Sequence, residues 1–168
     1  MLGKMLAVMM ALAPIHAMAA DVSAADVRAY LDTKGGDAAV EKFFSCTGDE
    51  NTFNGYEHVA AGSRAWVDVG LRVLPYTGGC ERESMYDSLA LAMPKAPELS
   101  LLLVVPSNTR VACLPVSIDE ADKKKWASHL ARLEGALLKV REPSLQQARK
   151  LCLDEVKQMR KSLRGKRG

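Results

Sequence analysis

Residues 117–163 read SIDEADKKKWASHLARLEGALLKVREPSLQQARKLCLDEVKQMRKSL. Apolar residues recur there every three or four positions, the spacing that lines one face of an α-helix. The first run is Trp126, Leu130, Leu133, Leu137 and Val140, and the second is Leu145, Ala148, Cys152, Val156, Met159 and Leu163. Because the link around Pro143 is short, the two helices should lie antiparallel. This half of the chain predicts an all-α fold.

Two capping boxes are expected to start these helices. Ser117 stands three residues before Glu120, and Ser144 stands three residues before Gln147. At that spacing the two side chains of each box can satisfy free N–H groups of the first helical turn. Pro143 also suits the start of the second helix, since its φ angle is already helical.

Shorter helices are predicted upstream. Ser23 is expected to cap the first of them, and Gly35 with Gly36 to end it. Four more are predicted at residues 38–46, 51–61, 63–74 and 81–93, separated by glycine and proline breaks. The expected architecture is all-α, with about seven helices packed antiparallel in one domain at residues 21–163.

One apolar segment leaves two alternatives open. Leu99 to Val105 is almost continuously apolar and fits a buried strand or a buried helix. Pro97 followed by Glu98 favours the start of a helix. A lone strand would also lack a partner, because no other stretch alternates between apolar and polar residues.

The first twenty residues predict a cleaved signal peptide. Lys4 supplies a positive start, Met5 to Ala13 an apolar run, and Ala17 to Ala19 a small-residue cleavage site. The run is broken by Pro14, well short of the roughly 20 apolar residues that span a bilayer. We therefore expect the mature protein to begin at Ala20 or Asp21 and to reside in the periplasm or be secreted.

Charge is unevenly distributed along the mature chain. Without the leader it carries 22 basic and 20 acidic residues. Six of the basic residues follow the last acid, Glu155, so residues 164–168 form the end of a basic tail. Such a tail complements a helix dipole, or it attracts an anionic surface weakly. No aromatic residues lie among these charges, so nucleic-acid binding is not expected.

All four cysteines follow the leader, and an even number in an exported protein favours disulfides. Their spacings of 34, 33 and 39 residues differ from common zinc sites, whose cysteines stand about two to four residues apart. Three connectivities are possible. We favour Cys46 with Cys80, which end and begin neighbouring predicted helices, and Cys113 with Cys152 in the C-terminal half. No metal site is predicted.

Catalytic and cofactor motifs are scarce. The mature chain has two histidines, His58 and His129, and neither has a second histidine or a glutamate at metal-ligand spacing. We interpret His129 as a residue at the core edge and His58 as a surface or partner-facing residue. Gly78 and Gly79 precede a helix with acids in its first turn, which would repel a phosphate. No cofactor is predicted.

A family resemblance rests on apolar and cysteine positions. These are Trp66 to Leu74 with Pro75, Ser88 to Ala92 with Pro97, Leu101 and Leu102, and Cys113 with Cys152 and Leu153. In these positions the chain resembles small exported helical proteins of proteobacteria that have no assigned activity. In architecture it is also similar to periplasmic immunity proteins that neutralise amidase effectors of type VI secretion. No functional residue is transferred from that second likeness.

Two functions are compatible with these features. The first is a non-enzymatic periplasmic binding protein, such as an immunity or inhibitor protein, that acts on a protein partner in the envelope. The alternative is a cell-envelope enzyme or enzyme accessory that uses His58 or His129 with a carboxylate such as Asp68.

Overall fold

The computed structural model of the chain describes residues 22–46, 53–119 and 122–165. In those residues the fold is all-helical, with nine α-helices and three 3-10 turns and without a strand. The α-helices are α1 (Ala24–Lys34), α2 (Gly36–Phe43), α3 (Gly55–Ala60), α4 (Arg64–Val73), α5 (Gly79–Ala92), α6 (Pro97–Ser100), α7 (Thr109–Cys113), α8 (Lys123–Leu137) and α9 (Gln146–Gly165). The 3-10 turns span Leu74–Tyr76, Leu101–Leu103 and Pro143–Leu145.

The all-α prediction is confirmed, although the described residues hold more helices than the seven expected. Of the two additional helices, α6 begins the ambiguous apolar segment and α7 is a single short turn at a place where a loop was predicted. The ambiguous apolar segment begins as helix at Pro97 and continues into a 3-10 turn before Val104 becomes extended. Among the described residues no helix is both long enough and apolar enough to cross a membrane. The predicted leader at residues 1–20 lies outside them, as do residues 166–168 of the basic tail.

Two of the predicted helix starts are confirmed by their caps. The Ser23 hydroxyl accepts a hydrogen bond from the backbone N–H of Asp26, and the Asp26 carboxylate accepts one from the backbone N–H of Ser23. Ser63 caps α4 through the backbone N–H of Trp66. Between α3 and α4, Gly62 has a φ angle of 76°, which favours glycine over other residues.

The predicted cap of α8 at Ser117 is wrong. α8 begins at Lys123, and the Asp122 carboxylate caps it by accepting the backbone N–H of Lys125 at 2.9 Å. Ser117 instead donates its own backbone N–H to the Asp87 carboxylate at 2.9 Å, beside a similar bond from Val116. The carboxylate of α5 thus holds this segment in a bend. Glu120, the other half of the predicted box, lies outside the described residues.

The predicted box at Ser144 is also not formed. Its hydroxyl donates to the Glu142 carboxylate at 3.1 Å, and Pro143 begins a 3-10 turn that delays α9 until Gln146. Two other predicted helices are too long, since α2 ends at Phe43 and α3 begins only at Gly55, where Asn54 caps it. The basic tail begins within α9, which extends through Gly165.

The core consists of two clusters that meet at α5. The N-terminal cluster packs α1 to α4 against Met85 and Leu89, and the C-terminal cluster packs α7 to α9 around Met93. Tyr86 contacts both clusters. Because α5 contributes residues to both, it is the element that joins the two halves of the protein.

The C-terminal helices form the predicted antiparallel pair. Every member of both predicted apolar stripes is buried, apart from the half-buried Leu163. Lys123 and Ala127 at the start of α8 lie beside Leu163 and Arg164 near the end of α9. Arg160 of α9 also pairs with Glu134 of α8 at 2.7 Å. The sequence pattern therefore predicted both the helices and their relative direction.

Candidate functional site

A cleft of about 740 Å³ separates α8 from the end of α5 and the turn that follows it. We call it the α8 groove, and its lining residues are Ala60, Leu91, Pro94, Lys95, Pro97, His129, Ala131, Arg132, Gly135, Ala136 and Lys139. Its volume falls within the roughly 300–1,000 Å³ typical of ligand pockets. The α8 groove lies where the two halves of the molecule face each other.

Small residues on α8 make room for this groove. Ala131, Gly135 and Ala136 follow one another along the helix at positions that line the cleft. Side chains with one carbon or none leave the helix backbone open to close approach. Across the groove, the Lys95 ammonium group donates a hydrogen bond to the Ala61 carbonyl at 2.7 Å. This bond connects the turn after α5 to the end of α3.

The charges that line the α8 groove are all positive. Lys95, Arg132 and Lys139 are exposed, and the lining residues include no acid. Glu134, although it belongs to α8, pairs with Arg160 of α9. The positive potential of the groove is therefore not neutralised by its own walls, and the groove is suited to an anionic group.

His129 lies on the inner wall of the groove and is only 2% exposed. Its Nε2 atom is shut off from solvent and has no hydrogen-bond partner in the part of the chain that the structure describes. Burial, assisted by the Arg132 cation and opposed by Asp87, lowers the pKa of His129 to about 4. The imidazole is therefore neutral at pH 7, and no carboxylate of the described residues is hydrogen-bonded to it in the orienting position that a general base uses.

Because His129 is buried, we expect the free energy of unfolding to fall in weak acid. An unfolded histidine has a pKa of about 6.5, whereas the folded side chain stays neutral down to about pH 4. Between these values the unfolded state binds the additional proton, so the free energy of unfolding falls as the pH falls. We expect a loss of about 1–3 kcal/mol between pH 6.5 and pH 4, measured by urea titration.

The control is His129→Gln, which keeps a polar side chain but does not titrate. Its stability should vary less with pH than that of the unchanged protein over the same window. Equal pH dependence in the two proteins would show that other groups carry the effect.

The other residues named for the enzymatic alternative are not brought together. The ring of His58 lies in a three-ring cluster with Phe53 and Trp66, at centroid distances of 4.9 and 4.7 Å, and these two rings are 5.8 Å from each other. Asp68 pairs with Arg28 at 3.7 Å. Within the described residues no contact joins Asp68 to either histidine. His58 is thus part of a half-buried aromatic cluster, whereas it was expected to face a partner or solvent.

The cysteines form one bonded pair and one adjacent pair. Cys113 and Cys152 are bonded and fully buried, with their Cα atoms 5.3 Å apart, which matches the favoured connectivity. Cys46 and Cys80 are exposed free thiols, although their Sγ atoms lie within 4.8 Å of each other. The predicted bridge between them is not formed in the structure and stays a prediction.

Sequence reasoning missed two features of these sites. It did not find the α8 groove, because the groove joins residues of α3, α5 and α8 that have no common motif. It also did not place Glu81 beside the Cys46 and Cys80 thiols. Comparisons of the chain with protein-family models, with curated proteins and with solved structures gave no match.

Proposed function

We propose that the protein is a non-enzymatic binding protein of the periplasm, in the manner of an immunity or inhibitor protein, and that it holds an acidic segment of a protein partner in the α8 groove. The observation that carries this proposal is the convergence of Lys95, Arg132 and Lys139 on one cleft whose lining residues include no acid. Carboxylates of a partner would meet three cations there.

The shape of the groove also supports a polypeptide ligand. Small residues leave the surface of α8 open over about two turns, and apolar residues such as Leu91 and Pro97 line the opposite wall. An extended acidic segment could therefore place its backbone against α8 and its carboxylates at the rim. Interfaces of this kind combine an apolar centre with a charged rim.

The enzymatic alternative receives less support from the geometry. His58 belongs to an aromatic cluster with Phe53 and Trp66, and His129 is buried near the Arg132 cation with no carboxylate hydrogen-bonded to it among the described residues. If the enzymatic alternative holds, a folded His129→Gln variant should lose catalytic activity. Substitution of the charged rim residues should leave that activity unchanged.

Reversal of the rim charges is expected to weaken partner binding strongly. Arg132→Glu combined with Lys139→Glu places two negative charges where the acidic segment would lie. Both residues are exposed, so the variant should fold normally. We expect the affinity for the partner to fall at least roughly tenfold, because like charges oppose both docking and retention.

The measurement is recovery of a stoichiometric partner from envelope extract by the immobilised mature protein, followed by titration with that partner. Lys124→Glu combined with Lys161→Glu is the matched control, since it changes the net charge equally at exposed positions outside the α8 groove. Binding of the unchanged protein should also weaken at high salt. Equal binding by the rim variant and the control would refute the assignment of the groove.

A further inference from the structure

A second site lies at the junction between the end of α2 and the start of α5. The Sγ atoms of Cys46 and Cys80 and a carboxylate oxygen of Glu81 all lie within 4.8 Å of one another. Both thiols are exposed, and the Ser84 hydroxyl is 3.7 Å from the Cys46 sulfur. Two sulfurs and an oxygen thus face one small volume that solvent can enter.

The fold holds the two cysteine-bearing segments together through Tyr56 of α3. Its hydroxyl contacts the backbone carbonyl of Phe44, which is two residues before Cys46. The same hydroxyl lies 3.3 Å from the backbone carbonyl of Glu81. The Tyr56 ring also packs edge-on against Phe44, with centroids 5.5 Å apart. A single side chain therefore fixes the backbone on both sides of the thiol pair.

Gly55 makes this arrangement possible. A Cβ atom at that position would lie 2.6 Å from the Phe43 carbonyl oxygen and 2.5 Å from the Phe44 ring. Only glycine lets α3 approach the end of α2 closely enough for Tyr56 to reach both carbonyls. The junction is therefore a packed element and not a chance approach of two surface loops.

The position of Glu81 distinguishes two uses of the thiol pair. A disulfide between Cys46 and Cys80 would make no use of a carboxylate beside both sulfurs. A metal ion would use this carboxylate as a ligand, because two thiolates and one carboxylate are a donor set that Zn²⁺ accepts. Tetrahedral Zn²⁺ with sulfur ligands at about 2.3 Å places them roughly 3.8 Å apart, a separation compatible with thiol sulfurs that lie within 4.8 Å of each other.

We infer that Cys46, Cys80 and Glu81 form a binding site for a thiophilic divalent cation of the Zn²⁺ class, with a fourth position open to solvent. Binding replaces the two thiol protons by the metal and releases them to water, with no change of oxidation state. The ion would join the end of α2 to the start of α5, independently of the α8 groove.

Cobalt serves as the probe, because Co²⁺ occupies zinc sites and absorbs light when thiolates bind it. The protein, with its buried bridge intact, is titrated with Co²⁺ under nitrogen and then with Zn²⁺. We expect one equivalent of Co²⁺ to produce thiolate-to-metal absorption, and Zn²⁺ to remove it. Cys46→Ser and Cys80→Ser should each abolish the absorption, and Glu81→Gln should weaken Co²⁺ binding at least roughly tenfold.

The matched control is Glu83→Gln, which removes an exposed acid from the same helix outside the cluster. It should bind Co²⁺ as the unchanged protein does. Absence of the absorption in the unchanged protein would refute the proposed site. Equal Co²⁺ binding by Glu81→Gln and the unchanged protein would show that the Glu81 carboxylate is not a ligand. The protein isolated from cells should also show two alkylatable thiols. A Cys46–Cys80 disulfide there would establish the predicted second bridge and refute the metal site.

Discussion

Removal of the Cys113–Cys152 bridge is expected to lower the free energy of unfolding by about 2–5 kcal/mol. The bridge closes a loop with a sequence separation of 39 residues and connects α7 to the middle of α9. A loop of that length contributes about 4 kcal/mol through the reduced entropy of the unfolded chain. Both cysteines are buried, and the Cys152 sulfur packs 3.9 Å from the Met93 sulfur, so the bridge also fills part of the core.

The test compares thermal and urea unfolding of the unchanged protein with a Cys113→Ala and Cys152→Ala double variant. Alanine leaves no buried free thiol to react. We expect the Tm of the double variant to fall by roughly 10 °C. Val111→Ala is the control, since this residue belongs to the same short helix as Cys113 but is 41% exposed. A double variant of the buried pair that unfolds like the unchanged protein would show that the bridge does not support the fold.

Leu133→Ala is expected to destabilise the protein by about 2–5 kcal/mol, because it leaves a cavity at the centre of the C-terminal cluster. Leu133 is fully buried on the face of α8 that packs against α9. Packing there is close, so the neighbouring side chains can fill the space only in part. The loss should appear as a lower urea midpoint with an unchanged dependence on urea concentration.

Leu138→Ala is the matched control for this substitution. It makes the same chemical change just beyond the end of α8, where the leucine is 52% exposed. We expect a change of less than about 0.5 kcal/mol. Similar losses for the two variants would mean that the predicted apolar stripe does not define the core of this half.

The helix faces could be predicted from the sequence because they depend on local spacing. Trp126, Leu130 and Leu133 repeat at helical intervals, and burial of that stripe is the largest favourable term for a helix of this length. Ser23 could be identified as a cap for a similar reason, since it bonds a backbone N–H within its own first turn. Such features need no knowledge of distant residues.

The box at Ser144 fails locally, through Glu142, whereas two other misses involve a residue of a different helix. Ser117 has the sequence signature of a cap, but Asp87 of α5 takes its backbone N–H, and Asp122 caps α8 in its place. His58 was expected to face solvent or a partner, and its half-buried contacts with Phe53 and Trp66 were not predicted. In these two cases the winning contact joins residues from different elements.

The sequence by itself determined the helical class and the two long apolar stripes, because these depend on periodicity along the chain. It favoured the Cys113–Cys152 pairing among three possible connectivities. Only the tertiary structure decided which groups share a site. One groove is lined by Lys95, Arg132 and Lys139, and the Glu81 carboxylate lies beside the Cys46 thiol. These residues come together because α5 packs against elements from both halves of the chain. Spacing rules describe ligands within one segment, and these sites take their residues from several.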